Sequence, residues 1–264
     1  MSNSSSNMFY KHSGRLGLSV PAILLIGIPV VILLSAIYAY IVVYCPVVGY
    51  VNVLFLGGYV FAAGIALAMI AKMSKCRSPS VLLALGTLGG LVGLYFSWVF
   101  FIKALFGEDV SAIAVALSPL GILEVAKEIN ANGWWGPSGI AQWALVAIEA
   151  AVIVGGIALF TSSSISREAF CEDCSTWCNP FETMHLKLTP ELAAKDPSEL
   201  DHLQLLGLEE VDKSEYPRLD AEVLQCTGCE KTQAIRFKKV AQVMDDGELK
   251  EQAEDIPGIL IQKA

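Results

Sequence analysis

The chain has 264 residues, 54 % of them hydrophobic, and carries 26 Asp or Glu against 18 Lys or Arg. Its mean hydropathy is +0.55. Soluble globular chains hold about 45 to 50 % apolar residues, so a wholly soluble protein is excluded, and a net charge of −8 argues against nucleic acid, whose phosphates need a basic surface.

The charge is unevenly divided. Residues 1–162 hold 7 Lys or Arg and 5 Asp or Glu, net +2, whereas residues 163–264 hold 11 and 21, net −10. The predicted organisation follows that division. A cytosolic leader covers 1–19, a transmembrane four-helix domain covers 20–162, and an acidic cytosolic domain covers 163–264.

Crossing ~30 Å of hydrocarbon takes about 20 apolar residues. Four runs meet that length: 20–43, 48–71, 81–106 and 141–160. The first is about twice as long as the apolar core of a secretory signal and follows a polar leader with Lys11 and Arg15, so it is read as a retained helix. Pro29 inside it predicts a kink. Lys11, Arg15, Lys72, Lys75 and Arg77 all fall in segments on one side of the spans, and short basic loops stay cytoplasmic. Both termini are therefore expected in the cytoplasm. Cys45 then lies in the outer loop and Cys76 in the inner one, where S-acylation is a weaker reading than a spectator thiol.

In the third run, Gly86, Gly90, Gly89 and Gly93 give two overlapping G-x-x-x-G spacings, which permit close helix approach. Lys103 near the outer end is placed to snorkel. Outside, Ser118-Pro119 opens an amphipathic interfacial helix near 118–130, with Ile122, Leu123, Ala126 and Ile129 on its apolar face. Trp134 and Trp135 fit an aromatic belt.

Glu149 is the one ionisable residue deep in a predicted span. A carboxylate at mid-bilayer costs at least about 2.5 to 3.5 kcal/mol, so such a residue faces protein or water. At a rise of ~1.5 Å per residue, Ser35, Tyr38, Tyr59, Tyr95 and Ser97 fall near its depth. Either it binds an ion or proton within that layer, or it is a neutral acid that pins the bundle through a tyrosine or serine. The second reading is preferred.

In the tail, Cys171-Glu-Asp-Cys174 and Cys226-Thr-Gly-Cys229 are two C-x-x-C pairs on the reducing side of the membrane, where thiols persist. Two thiolates at this spacing supply half of a tetrahedral site, and two such turns complete a Zn²⁺ site that has no open coordination position. The zinc is thus expected to be structural rather than hydrolytic. Gly228 is expected to supply a left-handed residue in the second turn. Residues 232–240 alternate, with Ile235 and Phe237 on one side, and Leu219 and Val223 suggest the partner strand. Knuckle, turn and hairpin resemble the zinc-ribbon class of small metal domains over residues 169–178 and 219–242.

Cys178 is a spare thiol: an alternative ligand, a member of a second site with His185, or packing. Thr189-Pro190-Glu191 and Asp196-Pro197-Ser198-Glu199 read as helix starts, the second running to Leu206. Asp201, His202, Glu209, Glu210 and Asp212 nearby are read as a solvated face rather than an acid and base site. Residues beyond Asp245 are expected to be mobile, apart from a short strand at 259–261.

The fold class expected is an all-α transmembrane four-helix bundle followed by a small α+β zinc-ribbon-like domain. No nucleophile motif, phosphate-binding glycine loop or open metal triad is present, so no enzyme is expected. The leading reading is a membrane-embedded adaptor or accessory subunit, in contact with the lipid bilayer and with a membrane or cytosolic protein partner or a second copy of itself. The alternative is a transporter or channel subunit using Glu149, and a third reading is a redox or metal sensor.

Overall fold

The computed structural model describes residues 9–45, 50–132, 138–200, 205–230, 233–245 and 248–261. It divides into two compact units, one of Gly14–Ser164 and one of Met1–Ser13 with Ile165–Ala264.

The first unit is helical: α1 (Ser19–Tyr44), α2 (Tyr50–Met73), α3 (Pro79–Phe106), α4 (Ala112–Ala116), α5 (Pro119–Asn132) and α6 (Ile140–Ser163). Four of these helices are long and apolar enough to cross a membrane. They match the four predicted runs to within a few residues. Pro29 leaves its mark one turn earlier, as a π turn over Ile23–Gly27 in which the Ile28 N–H reaches back to Ile23 O. Proline has no N–H for the carbonyl four residues before it and its ring crowds that carbonyl; a wider turn absorbs the misfit.

The glycines of α3 find their neighbour within the chain. A Cβ on Gly86 would lie 2.9 Å from Ala158 Cα, and one on Gly90 would lie 2.7 Å from Val154 Cα. Backbone of α3 thus touches backbone of α6, which only glycine permits. Gly89 makes room for Leu67 of α2. At the far end of α3, Val99 and Ile102 pack with Val115, and Ile122 and Val125 of α5 cover them. The predicted face of α5 is therefore rotated: Leu123 is exposed, and Val125 takes its place. Lys103 Nζ donates to Gly107 O at 2.5 Å, closing the end of α3. Trp134 and Trp135 lie outside the described residues.

The second unit is built on β-sheet: β1 (Phe170–Cys171), β2 (Thr176–Trp177), β3 (Asn179–Lys187), β4 (Arg218–Gln225), β5 (Gln233–Asp245), β6 (Glu248–Asp255) and β7 (Leu260–Ile261). β1 and β2 form a small hairpin. The main sheet runs β3-β4-β5-β6, antiparallel throughout, with β7 against the start of β5. The register sets Ile235 opposite Val223 and Phe237 opposite Ala221, so the alternating residues read from the sequence share one face. That face, with Leu219, Leu186, Leu205 and Ile256, is the core.

Helix is scarcer than the expected α+β composition. Thr189 caps α7, its Oγ1 accepting from Leu192 N at 3.4 Å, but α7 stops after Pro190–Ala193. Pro197–Glu199 is a 3₁₀ turn, Leu200 is not helical, and residues 201–204 lie outside the described set. Two prolines seven residues apart leave no room for an uninterrupted helix between them. The expectation of a mobile end beyond Asp245 is also corrected, because β6 pairs with β5 along its whole length. It does so with little apolar content: opposite charges face each other across the strands at Lys238 and Asp255 and at Lys239 and Glu254. Residues 9–13 of the predicted leader join this unit, with Tyr10 N donating to Ile259 O at 2.8 Å and His12 Nε2 lying 2.8 Å from Ile165 O.

Arg218 is buried to 1 % exposure and fully engaged. Its Nε donates to Asp220 Oδ1 at 2.9 Å, a terminal nitrogen donates to Lys213 O at 2.5 Å, and the guanidinium lies 4.5 Å from the centre of the Tyr216 ring. Replacing Arg218 with Met should strand the Lys213 carbonyl and weaken the hold on Asp220. A loss of about 1.5 to 3 kcal/mol follows from removing a charged hydrogen-bond partner, and hydrogen exchange along β4 in the full chain should report it. Unchanged protection of β4 would show the network to be dispensable.

Candidate metal centre

Each cysteine pair sits where the sheet architecture needs a tight turn. Cys171 ends β1 and Cys174 lies in the turn to β2, whereas Cys226 follows β4 directly and Cys229 lies in the turn toward β5. The four Sγ atoms lie within 4.8 Å of one another, with Cys171 and Cys229 at 3.5 Å. A tetrahedron with metal–sulfur bonds of ~2.3 Å has edges of about 3.8 Å. The sulfurs are thus already near the spacing that one ion imposes. Cys171 and Cys226 are buried and Cys174 is exposed, so the cluster is seated at the edge of the core with one corner at the surface.

Backbone details support the same arrangement. Gly228 N lies 3.4 Å from Cys226 Sγ, an N–H pointed at a sulfur. A Cβ on Gly228 would come 3.0 Å from Cys174 Sγ. Glycine is required here for room and not, as the sequence suggested, for a left-handed φ. The left-handed residues are the next ones along each turn: Ser175 after Cys174 with φ 51°, and Glu230 after Cys229 with φ 59°. The two turns thus share a left-handed residue directly after their second cysteine, although their sequences share only the cysteines.

Crowded sulfurs are poor acids without a cation. Hydrogen bonds with Cys229 and Cys226 are the chief reason the Cys174 thiol is pushed up to about 12. A divalent ion would reverse this, since thiolates and not thiols are the ligands. The set fits a metal, and thiolates select soft or borderline ions such as zinc.

Cys178 is not among the four. It is buried with Ala169, Leu224, Ala234 and Ile259, and burial pushes its thiol up to about 11. The second site with His185 is not formed, because His185 lies six residues along β3 from Asn179, about 20 Å at strand rise. Its Nδ1 instead meets Asp220 Oδ1 across the sheet at 2.7 Å. Of the acidic group, Asp201 and His202 lie outside the described residues. Glu209, Glu210 and Asp212 are exposed, with Asp212 capping the turn at Ser214.

In the helical unit, Tyr38 donates to Glu149 Oε1 at 2.7 Å. Tyr38 stacks on Tyr59 with ring centres 4.9 Å apart, and Ser35 Oγ lies 2.9 Å from the Tyr59 hydroxyl. The depth argument therefore located three of the five expected members. The other two turn elsewhere: Tyr95 donates to Ala116 O at 2.7 Å, and Ser97 to Leu94 O in its own helix. Asn52 escaped the sequence reading. It is only 8 % exposed although it stands in the first turn of α2, and its Oδ1 is enclosed without a hydrogen-bond partner among the described residues. An amide within an otherwise apolar span was the available signal.

Comparison of the chain with protein-family models, with curated proteins and with solved structures finds no match.

Proposed function

We propose that this protein is a membrane-embedded adaptor: a four-span bundle that anchors, with both termini cytoplasmic, a zinc-stabilised module that engages a protein partner. The reading rests chiefly on the four-sulfur cluster. Four thiolates close a tetrahedral shell, so a zinc ion held there has a structural task and leaves the domain surface to do the work. Zinc is favoured over other thiophilic ions because a four-cysteine set on paired turns suits its tetrahedral preference.

The surface that supports a protein partner is the ribbon of β5 and β6. Every residue of β6 is exposed, and near the far end of the pair Met244 lies opposite Leu249, at 66 % and 62 % exposure. Flexible apolar side chains such as methionine are common at binding surfaces. The charged double variant Met244→Glu with Leu249→Lys should release a stoichiometric partner that otherwise co-purifies with the chain in mild detergent, with zinc content unchanged. Purification of the native chain as a homo-oligomer with a water-filled centre would instead support transport.

Orientation has its own test. A membrane-impermeant thiol reagent added to intact cells should label Cys45, which is partly exposed, and leave Cys174 untouched. Cys174 is the exposed member of the cluster, and a membrane-permeant chelator added first keeps a bound metal from shielding its thiol. Labelling of Cys174 from outside would overturn the topology.

A further inference from the structure

The level of each residue along the bundle can be read from close contacts between its helices. Gly156 of α6 packs against Val60 of α2, and Gly64 of α2 packs against Phe160 of α6. Both pairs differ by 96 in number. The two helices therefore run parallel, with a fixed stagger that puts Asn52 level with Ile148 and Glu149. The contacts of α3 give the matching antiparallel relation, since Gly86 meets Ala158 and Gly90 meets Val154. Continued outward along α3, that register reaches Tyr95 opposite Glu149, and Tyr95 is bonded to Ala116 O.

Two oxygen-bearing side chains from neighbouring helices thus stand at one height. Glu149 is held on Oε1 by the Tyr38 hydroxyl, its one donor among the described residues. Asn52 has an enclosed Oδ1 with no partner among the described residues. A buried carbonyl oxygen without a donor is costly, so it is a ready ligand for a water or a cation. Among the described residues the ionisable groups at this level are Tyr38, with Tyr59 behind it, and Tyr95, whose hydroxyl is turned to Ala116 O; Lys103 is engaged by Gly107 O, and α3 presents no charged group here.

We propose that Asn52 Oδ1 and the Glu149 carboxylate bind one small monovalent metal cation inside the bundle, in competition with a proton on Glu149. Oxygen ligands suit hard cations. One carboxylate balances one positive charge, so a divalent ion would leave a net charge in hydrocarbon, whereas a monovalent ion leaves none. Tyr38 donates to the carboxylate and so holds Oε1 while Oε2 takes either the proton or the cation. When the cation enters, the proton leaves Oε2 for water, and total charge in the site is conserved. The proposal goes beyond the adaptor reading and relies only on the bundle's lying in lipid, in either orientation.

The test is infrared spectroscopy of the full chain in lipid nanodiscs. The protonated-carboxyl band of Glu149 is identified by its loss in Glu149→Gln. At constant pH and ionic strength, exchanging choline for sodium or potassium should diminish that band, and protons should restore it. Asn52→Leu should raise the half-saturating cation concentration at least tenfold. Asn52→Ser, which keeps an oxygen on a shorter arm, should weaken binding less and serves if the leucine variant does not fold. A band indifferent to sodium and potassium in the native chain would overturn the site and leave Glu149 a structural acid. So would equal half-saturation in native and Asn52 variants. Neither result depends on which terminus faces the cytoplasm, so failure here is separable from failure of the thiol-labelling experiment.

Discussion

Cys226→Ser protein is expected to purify without the proposed zinc and with the tail unfolded, while the helical unit keeps its circular dichroism. Serine offers an alcohol where the site needs a thiolate, and three remaining sulfurs cannot close the shell. The consequence reaches beyond the site because Cys226 belongs to the same buried cluster as Cys171, Leu224, Ala234 and Ile259. Metal binding in four-ligand modules is worth about 10 to 16 kcal/mol in zinc-finger peptides, comparable with a small domain's whole stability. Chelation of the native protein should give the same result as the substitution. Cys178→Ser is the matched control: it alters a buried cysteine in the same cluster that is outside the four-sulfur set, so it should weaken packing yet retain about one zinc per chain. Retention of full zinc by Cys226→Ser, or loss of zinc from Cys178→Ser, would show the ligand assignment to be wrong.

The four long apolar helices and the cysteine pairs were legible because each carries its own signal. A run of about 20 apolar residues has few alternatives, and a C-x-x-C pair fixes its turn locally. The β4–β5 pairing was partly legible, since period-two alternation at Ile235 and Phe237 is itself a strand signature. What the sequence withheld were relations between elements. Nothing in residues 248–255 announces a strand, because β6 is stabilised by backbone bonds and by charges on β5 and has no apolar stripe of its own. Gly228 was assigned the wrong task because a close approach to Cys174 Sγ is a fact of the assembled site. Tyr95 and Ser97 were counted into the polar layer on depth alone; depth says nothing about the direction in which a side chain leaves its helix. Asn52 shows the converse. The sequence reading passed over it, and only the stagger between α2 and α6 brings it to the level of Glu149.

Gly90→Leu should be strongly damaging to the packing of α3 against α6. The first carbon of the new side chain would lie 2.7 Å from Val154 Cα and 3.1 Å from Val154 O, and backbone cannot step aside as a side chain can. The helices must therefore separate over the stretch where Gly86 also meets Ala158. Overpacking that forces side chains off their rotamers and shifts backbone costs about 1 to 3 kcal/mol. Here the lower end of that range should be exceeded, and the gain in helix propensity over glycine, about 1 kcal/mol, is too small to offset it. The separation would also disturb the polar layer, because Ser35 Oγ donates to Gly93 O one turn along, at 3.1 Å. Gly57→Leu provides the internal control: a Cβ there meets nothing within 4 Å, so propensity alone acts and the bundle should be unchanged or slightly more stable. Thermal unfolding of the two variants in detergent should separate them clearly. Equal melting of Gly90→Leu and Gly57→Leu would mean that the backbone contact between α3 and α6 does not hold the bundle together.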